Sequence, residues 1–590
     1  MISSAGNIVT EFVGALPMIA AYLQRMQFAE TIDMIVTPLR SNNKRLSHGK
    51  TCFILILYLL CRPHVMYKVE DWVRDTTYLR VLFPEIEPGH LSDDRIADTL
   101  KALQAAGIKN LFSAQSISII KEFNLSMEQV HCDFTDFVVY GDFAKADGKD
   151  SILITRGFNK KGIKGQKQFN QEIAVTADGG VPIMSQTTDG NTADVTRYIP
   201  VWREVRKLMG SSDFVIVGDC KLSSEENLLT IAKGKGCFLA PLAMYSNLQK
   251  ELAQYVLFEN RTPVLLRRQL RGGKTITFHG FEVADSLTDP ETNEIYDYRK
   301  IFVLSSQLKE VEEKGLENRL EKALVEIRKV DLKLNRFESL NSTNKIRAAV
   351  EGILDKYGVK GLIDYQINEK VKNIKKKIGR GRPGPNSVYE EKDVIEYSLI
   401  YYKNEQAIGD TKKLCGYFVL ATNKPKDELP IAKALTLYKQ EWMVERVFER
   451  LKGPLQVIPI RLQLPEHIEA MMYLLMTCAQ VFTLMDREAK NSLESKGEKL
   501  EGLFPNKIKV SRPKAEAMMD AFRNIGLSYR AIGEDIEISI AGLNTLQFKL
   551  LEITGVNPIG YSTQYIIERL NTSEATMAIL KKISTLLPHT

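Results

Sequence analysis

The sequence has no Cys-x-x-Cys pair, although seven cysteines are scattered along its 590 residues. Zinc ribbons use such pairs, and disulfide frameworks are built from closely spaced cysteines in short secreted chains. The pattern therefore disfavours both classes and predicts reduced thiols in a cytoplasmic protein. The cysteines are Cys52, Cys61, Cys132, Cys220, Cys237, Cys415 and Cys478.

Long hydrophobic runs are also missing, and no basic segment followed by an apolar stretch stands at the N-terminus. No signal peptide is therefore expected. The most apolar runs, Cys52–Cys61 and Met471–Met485, are shorter than the roughly 20 residues that cross a bilayer. Both are predicted to be buried helices of a protein that does not contact membranes.

Positive charge is in small excess, with a formal net charge of +7 at pH 7. It is locally concentrated, because Lys370 to Arg382 contains seven Lys or Arg and no acidic residue. Such an excess permits a nucleic-acid partner without requiring one. The length allows three or four domains, and 44% hydrophobic with 26% charged residues is typical of a globular protein.

The periodicity of apolar residues changes along the chain. Residues 1–125 are predicted to be helical, and short strands then alternate with helices, as in α/β proteins. The predicted strands are 130–140, 152–155, 172–177, 181–186, 213–219, 263–270, 275–283, 299–305, 416–422 and 536–540. The predicted helices after residue 125 are 196–208, 225–233, 310–340 and 468–486, with most of the last hundred residues also helical.

One further helix is predicted to begin at Pro430 and to end at Gly453. Within it, Tyr438, Glu445 and Lys452 are spaced by seven and seven residues. Seven residues make nearly two helical turns, so the three side chains are predicted to share one stripe. Trp442 and Phe448 flank that stripe. The set indicates a helix that binds metal and phosphate, although an ordinary amphipathic helix has the same spacing.

Metal-assisted phosphodiester chemistry requires further carboxylates on rigid elements. Asp133 lies within the first predicted strand, where burying an unpaired acid is costly. Asp136, on the opposite face of the strand, is the alternative candidate for the same role. Within the predicted apolar run 213–219, Asp219 stands at the C-terminal end of the strand Phe214–Val217, and ligand sites gather at the carboxyl ends of such strands. Asp213 stands at the wrong end of that strand. Turn, cap or edge-strand roles remain the alternatives for these acids.

These segments resemble the DDE transposases of bacterial insertion sequences, in the group with a Tyr-x2-Arg-x3-Glu-x6-Lys signature. Tyr438, Glu445 and Lys452 match the signature. Val130–Gly141 resembles the first-aspartate strand, and Val217–Asn227 resembles the second-aspartate region. Weaker matches are Gly190-Asn191-x-x-Asp194, Leu46-Ser47-His48-Gly49 and the Arg380–Pro383 loop.

The resemblance implies an α/β fold with an RNase H-like catalytic core, interrupted by a largely β insertion and flanked by helical N- and C-terminal regions. The implied domains are a helical region 1–125 that binds DNA ends, core halves at 126–240 and 416–490, an insertion with a long helix and basic loop at 241–415, and a helical region 491–590. A prokaryotic, cytoplasmic, nucleoid-associated protein is expected.

The resemblance also implies the chemistry. Asp133, Asp219 and Glu445 would bind two Mg²⁺ or Mn²⁺ ions, hydrolyse a phosphodiester at the element's end, and direct the freed 3′-OH into target DNA. Glu445 is singled out over Glu441 and Glu449 by the signature alone. Double-stranded DNA is the expected partner, bound by a homodimer in a synaptic complex.

Tyr438 and Lys452 are expected to contact DNA phosphate. Trp442 is expected either to stack on a displaced base or to pack the helix onto the sheet. One position departs from the signature, because Glu441 stands where the family has Arg. Arg446 or Arg450 then replaces that arginine, or the phosphate contact is lost.

Arg380-Gly381-Arg382-Pro383 is similar to the core of AT-hook peptides, whose arginines enter a narrow minor groove. Nonspecific phosphate binding by Arg380 and Arg382, or a plain solvated loop, are the alternatives. His48 and His131 are predicted to be structural rather than ligands. The competing functions are an RNase H-like nuclease without strand transfer and a non-catalytic DNA-binding protein derived from a transposase.

Overall fold

This computed structural model describes residues 8–38, 46–61, 66–141, 143, 151–157, 159, 162, 165–271, 273–336, 340–380, 382–385, 387–455, 462–505, 508–532 and 535–570. The chain divides into two compact units. The larger unit comprises residues 1–240, 287–296 and 434–590, and the smaller unit comprises residues 241–286 and 297–433. Predictions for residues 571–590 lie outside the described residues.

The described part of the chain is mixed α/β, as predicted. Its strands are β1 Ile8–Phe12, β2 Gln129–Val139, β3 Thr155–Arg156, β4 Lys167–Thr176, β5 Pro182–Thr188, β6 Val215–Val217, β7 Cys237–Leu242, β8 Val264–Arg271, β9 Lys274–Thr288, β10 Ile295–Ser305, β11 Ile363–Lys377, β12 Tyr389–Lys403, β13 Tyr417–Thr422, β14 Gly526–Ile532 and β15 Asp535–Ile540.

Its α-helices are α1 Leu16–Arg25, α2 Phe28–Ile35, α3 His48–Cys61, α4 Val69–Asp75, α5 Tyr78–Leu82, α6 Asp93–Ala106, α7 Ile108–Glu122, α8 Tyr198–Met209, α9 Glu225–Lys233, α10 Ser246–Ala253, α11 Ser306–Asp331, α12 Thr343–Tyr357, α13 Glu405–Leu414, α14 Ile431–Tyr438, α15 Trp442–Lys452, α16 Pro465–Lys496, α17 Ala515–Asp520, α18 Thr545–Ile553 and α19 Thr563–Leu570.

The main sheet of the larger unit is built around β2. Strand β4 pairs antiparallel with β2 and with β5, and the two-residue β3 also pairs with β4. On the other side, β6 pairs parallel with β2, and β7 pairs parallel with β6. Every residue of β6 is buried, as is typical of a parallel strand covered on both faces. The chain therefore runs β5-β4-β2-β6-β7 across the sheet.

Helix α16 is the central helix of the larger unit. It packs against α3, α6 and β5, and its side chains are buried from Ala470 through Met485. In the described part of the chain it is the single helix that by itself has the length and apolar character to cross a membrane, but 94% of its most apolar window is buried inside the protein. The buried-helix prediction for Met471–Met485 therefore agrees with its surroundings.

A small sheet joins the two ends of the described chain. Strand β1 pairs antiparallel with β14, and β14 pairs antiparallel with β15. The segment 536–540 was predicted as a strand, whereas β1 and β14 were not. Strands β1 and β14 lie more than 500 residues apart in the sequence. No local sequence pattern could have predicted their pairing.

The smaller unit contains a four-stranded sheet, a helical layer and a β-ribbon. The sheet order is β13-β10-β9-β8. Helix α11 begins earlier than predicted, where the Ser305 side chain accepts a hydrogen bond from Leu308 N, and it ends at Asp331 rather than at Leu340. The ribbon pairs β11 with β12 over fifteen residues each, from Ile363↔Lys403 to Lys377↔Tyr389.

Candidate active site

Asp133 lies in the middle of β2, the central strand of the larger sheet. Its side chain is half-buried, and its Oδ1 accepts a hydrogen bond from Phe134 N at 2.7 Å. Side chains alternate along a strand, so Thr135 shares the face of Asp133 whereas Asp136 lies on the other face. Asp136 is 8% exposed. The two rival acids therefore have different surroundings, as the alternation predicts.

Asp219 lies at the same edge of the sheet as Asp133. The parallel register pairs His131 with Val217, and each aspartate comes two residues later in its own chain segment. Carboxyl ends of parallel strands point the same way, so the two acids leave the sheet side by side. Asp213 is exposed at the opposite end of β6.

Hydrogen bonds fix the carboxylate of Asp219. Its Oδ1 accepts from the Tyr198 hydroxyl at 2.8 Å and from Lys221 N at 2.7 Å. The Tyr198 hydroxyl also accepts from Asp219 N at 3.1 Å. Asn227 braces the following turn by donating to the carbonyl oxygens of Val195 and Lys221 at 3.1 and 3.2 Å.

The helix predicted to start at Pro430 is two helices. Helix α14 ends at Tyr438, α15 begins at Trp442, and the residues between form a turn. Gln440 N donates to Leu437 O at 3.0 Å and Glu441 N donates to Tyr438 O at 3.2 Å, which are i→i−3 bonds of the tighter 3₁₀ kind. The prediction of one continuous stripe was therefore wrong for Tyr438.

Glu445 lies in the first turn of α15, a helix that packs against β2 and β4. Its side chain is exposed, as is that of Glu449, while Val444, Val447 and Leu451 bury the opposite side of the helix. The helix therefore presents Glu445 outward from a firmly packed base.

Glu441 lies among the candidate acids rather than away from them. Burial, followed by the charges of Asp133, Asp219 and Glu445, raises the pKa of Glu441 to about 7. The carboxylate of Glu441 therefore lies within electrostatic reach of the other three acids. The signature arginine position is thus occupied here by a fourth acid of the same cluster.

Tyr438 belongs to the same neighbourhood despite the helix break. Burial raises the pKa of its hydroxyl, and the charges of Glu441, Cys220 and Asp219 add to that effect. A phenol in this setting stays protonated and remains a hydrogen-bond donor.

Lys452 and Trp442 lie at the two ends of α15. The Lys452 ammonium donates to the Thr135 hydroxyl on β2 and lies 5.4 Å from the Phe137 ring centroid. Trp442 is 43% exposed. Part of its indole therefore faces solvent and does not pack the helix onto the sheet.

Arg446 and Arg450 have different surroundings. Arg450 is 2% exposed and pairs with Asp486 and Glu516, both at 2.8 Å. Arg446 is more accessible and pairs with Asp486 at 2.8 Å. Arg450 is therefore held in buried ion pairs, whereas Arg446 is the more accessible of the two arginines.

A basic depression beside Trp442 was not predicted from the sequence. Cations from α15, α16 and the loop before α17 line it together with Gly179 and Gly180. Asp486 also lines the depression, and each of its cations is paired with an acid; the cations are Arg446, Arg450, Arg487, Lys490 and Arg512. They come from three separate segments of the sequence, and no local charge run marks them.

Arg380 and Arg382 lie beyond the last pair of the β11–β12 ribbon, and both are exposed. Gly381 between them lies outside the described residues. His48 is buried with Nδ1 at 3.2 Å from the Thr99 hydroxyl, and burial lowers the pKa of His131 to about 4. Neither histidine is associated here with the acidic cluster.

The acidic cluster suits a divalent cation by its chemistry. Within the described ranges, no three His, Cys, Asp or Glu side chains already converge at metal-binding distance. The charges of Asp133, Asp219 and Glu445 nevertheless all act on Glu441, where they add to burial in raising its pKa. Hard oxygen donors with excess negative charge are the ligand set that Mg²⁺ and Mn²⁺ prefer.

Comparison with known proteins gives two family matches. A model described as "Transposase DDE domain" matches residues 132–481, and a model described as "Domain of unknown function" matches residues 8–117. No curated protein matches the chain. The chain is similar at 10% identity and a TM-score of 0.33 to a solved structure described as a piggyBac transposase synaptic complex with hairpin DNA, with 97% of this chain and 83% of that chain covered.

Proposed function

Because the chain belongs to the transposase DDE domain family, whose model spans residues 132–481, we propose that it is a DNA transposase. It would bind the ends of an insertion sequence, cleave a phosphodiester there, and transfer the freed 3′-OH to target DNA. Asp133, Asp219 and Glu445 would be the catalytic carboxylates.

The observation that carries this proposal is that acids from three separate elements all act electrostatically on Glu441. Asp133 comes from β2, Asp219 follows β6, and Glu445 lies on α15, 226 residues after Asp219 (445 minus 219). Burial, and after it the charges of these three acids, raises the pKa of Glu441 to about 7. Clustering of like charges costs stability, and that cost is expected at functional sites rather than at structural ones.

An RNase H-like core is proposed for the larger unit. Support comes from the strand order β5-β4-β2-β6-β7, in which β2, β6 and β7 are parallel, β4 runs antiparallel to them, and β5 pairs antiparallel with β4. In chain order the proposed core strands are β2, β4, β5, β6 and β7. The first aspartate then lies on the first of these strands, the second follows the fourth, and the glutamate lies on a later helix.

Two Mg²⁺ or Mn²⁺ ions are the proposed cofactors, held by Asp133, Asp219 and Glu445. Bound there, such ions would activate water or a 3′-OH for attack and neutralise charge on the phosphate. The protein's own part is to hold the three carboxylates on two packed strands and a packed helix. Rigid supports of this kind keep the geometry fixed while the substrate changes between cleavage and joining.

DNA contacts are proposed around the same helix. Lys452 would bind backbone phosphate as a point charge, and the protonated Tyr438 hydroxyl would donate to a phosphate oxygen. The exposed indole of Trp442 would stack on a displaced base beside the depression that Arg446, Arg487 and Lys490 line.

Further DNA contacts are proposed outside the cluster. Arg380 and Arg382 at the ribbon tip would bind backbone phosphate, and the helical region 1–125 would recognise the element's ends. A homodimer would hold two ends together in a synaptic complex. The residues 370–396 carry eight Lys or Arg and four Asp or Glu, so this part of the smaller unit has a net charge of +4 (8 minus 4) that favours DNA.

Strand transfer is the reaction that separates this proposal from its alternatives. Purified protein is incubated with Mn²⁺, a duplex ending in the inverted repeat that flanks the gene, and a supercoiled target plasmid. A transposase yields end cleavage and joined products with short target duplications. Cleavage without joining would indicate a nuclease, and end binding without cleavage would indicate a non-catalytic DNA-binding protein.

A further inference from the structure

Tyr198 makes an unusual pair of hydrogen bonds to a single residue. Its hydroxyl donates to Asp219 Oδ1 at 2.8 Å and accepts from Asp219 N at 3.1 Å. One side chain thus restrains both the backbone and the carboxylate of the second aspartate. No position in the signature or in the aspartate segments pointed to Tyr198.

The Tyr198 ring packs against residues that adjoin both aspartates. It is fully buried and contacts the Phe134 ring edge-on, with centroids 4.6 Å apart. Phe134 adjoins Asp133, so the tyrosine bridges the two aspartate segments. On the other side lies Gly218, where a Cβ would come within 2.5 Å of the ring. A glycine is therefore required for the ring to approach the Asp219 backbone this closely.

The hydrogen bonds make the two oxygens of the Asp219 carboxylate unequal. Oδ1 accepts from Tyr198 and from Lys221 N, whereas Oδ2 accepts no hydrogen bond from the residues that the structure describes.

We infer that Tyr198 is a positioning residue that locks Asp219 so that Oδ2 is presented to a divalent cation. This inference rests on the proposed function and deepens it, because it assigns separate tasks to the two oxygens. Groups that orient a metal-binding carboxylate in this way typically account for a 10- to 100-fold difference in metal affinity.

The test compares Tyr198→Phe with wild type in the full-length protein. The substitution keeps the ring and its contacts with Phe134 and Gly218, and it removes the hydroxyl alone. Tyr561→Phe is the matched control, because Tyr561 is also buried and its hydroxyl donates to Gly14 O at 3.1 Å. Binding of Mn²⁺ is measured by isothermal titration calorimetry, and thermal unfolding is recorded for each protein without metal.

Tyr198→Phe is expected to weaken Mn²⁺ binding about tenfold, while Tyr561→Phe binds Mn²⁺ as wild type does. In cleavage assays the Tyr198→Phe defect should be large at low Mn²⁺ and should shrink at saturating Mn²⁺. Wild-type affinity in Tyr198→Phe would overturn the inference, provided Asp219→Asn weakens binding. If Asp219→Asn also binds Mn²⁺ like wild type, the proposed metal site itself fails, and the inference fails with it.

Discussion

The Lys452 ammonium donates a hydrogen bond to the hydroxyl of Thr135, two residues from Asp133 and on the same face of β2. This contact ties the last turn of α15 to the strand of the first aspartate. The helix that carries Glu445 is thereby held over the sheet edge where Asp133 and Asp219 emerge. In the proposed complex, this lysine would contact a phosphate bound beside the acids.

Lys452→Ala is expected to weaken binding to end-bearing DNA and to reduce the slope of log affinity against log salt by about 1, because one phosphate contact is lost. Thr135→Val is the matched control, since it removes the hydrogen-bond acceptor and leaves the charge. Fluorescence anisotropy without metal at several salt concentrations measures both. An unchanged salt slope in Lys452→Ala would exclude the proposed phosphate contact.

Glu441→Gln is expected to change how stability depends on pH. The pKa of Glu441 is raised from 4.5 to about 7, so its ionisation costs folding free energy as pH rises through that range. The metal-free Gln variant should therefore be more stable than wild type at pH 8, by on the order of 2 kcal/mol, and should differ little at pH 4.5. Urea unfolding at both pH values tests this, and an equal difference at both would contradict it.

Arg450→Met is expected to destabilise the protein by about 3–5 kcal/mol, because it leaves Glu516 and Asp486 without a buried cation. Arg446→Met removes the more exposed partner of Asp486 and should cost about 1 kcal/mol or less. For DNA binding the ranking of the two variants should be the opposite: Arg446→Met is expected to lose more affinity than Arg450→Met. Equal unfolding free energies for the two variants would show that Arg450 has no special structural role.

Replacing Arg380 and Arg382 together by Ala is expected to lower affinity for A·T-rich and G·C-rich duplexes alike. Two lost phosphate contacts should reduce the salt slope by about 2. A loss confined to A·T-rich duplexes would instead support minor-groove insertion, and no loss would identify a plain solvated loop. Lys274→Ala, at the exposed start of β9 in the same unit, serves as the control for a change of surface charge.

Local patterns in the sequence were sufficient to predict the strands that carry or precede Asp133 and Asp219. An acid inside an apolar strand and an acid directly after a buried strand are features of a few adjacent residues. The parallel register that brings the two acids together follows from general rules of α/β sheets. For this reason the places of both acids in the sheet, and the mixed α/β class, could be predicted without coordinates, while the catalytic role of the two acids stays a prediction.

The helix break before Trp442 could not be predicted in the same way. Residues 439–441 include neither Gly nor Pro, and seven-residue spacing continues unbroken across them. The turn is set by tertiary packing, which places Glu441 in the acidic cluster. Tyr198 was missed for a related reason, because its role depends on contacts with Phe134, Gly218 and Asp219, which lie in other segments.

The central claim is that Asp133, Asp219 and Glu445 are the catalytic carboxylates. Metal-dependent DNA cleavage by four isosteric variants tests it most directly. Wild type, Asp133→Asn, Asp219→Asn, Glu445→Gln and Glu449→Gln are each incubated with Mg²⁺ or Mn²⁺ and DNA bearing the element's ends. Wild type and Glu449→Gln should cleave, while the other three should lose at least about 1,000-fold in rate and still bind the ends. Wild-type cleavage by Asp219→Asn, or none by a folded wild type, would contradict the assignment of these three acids.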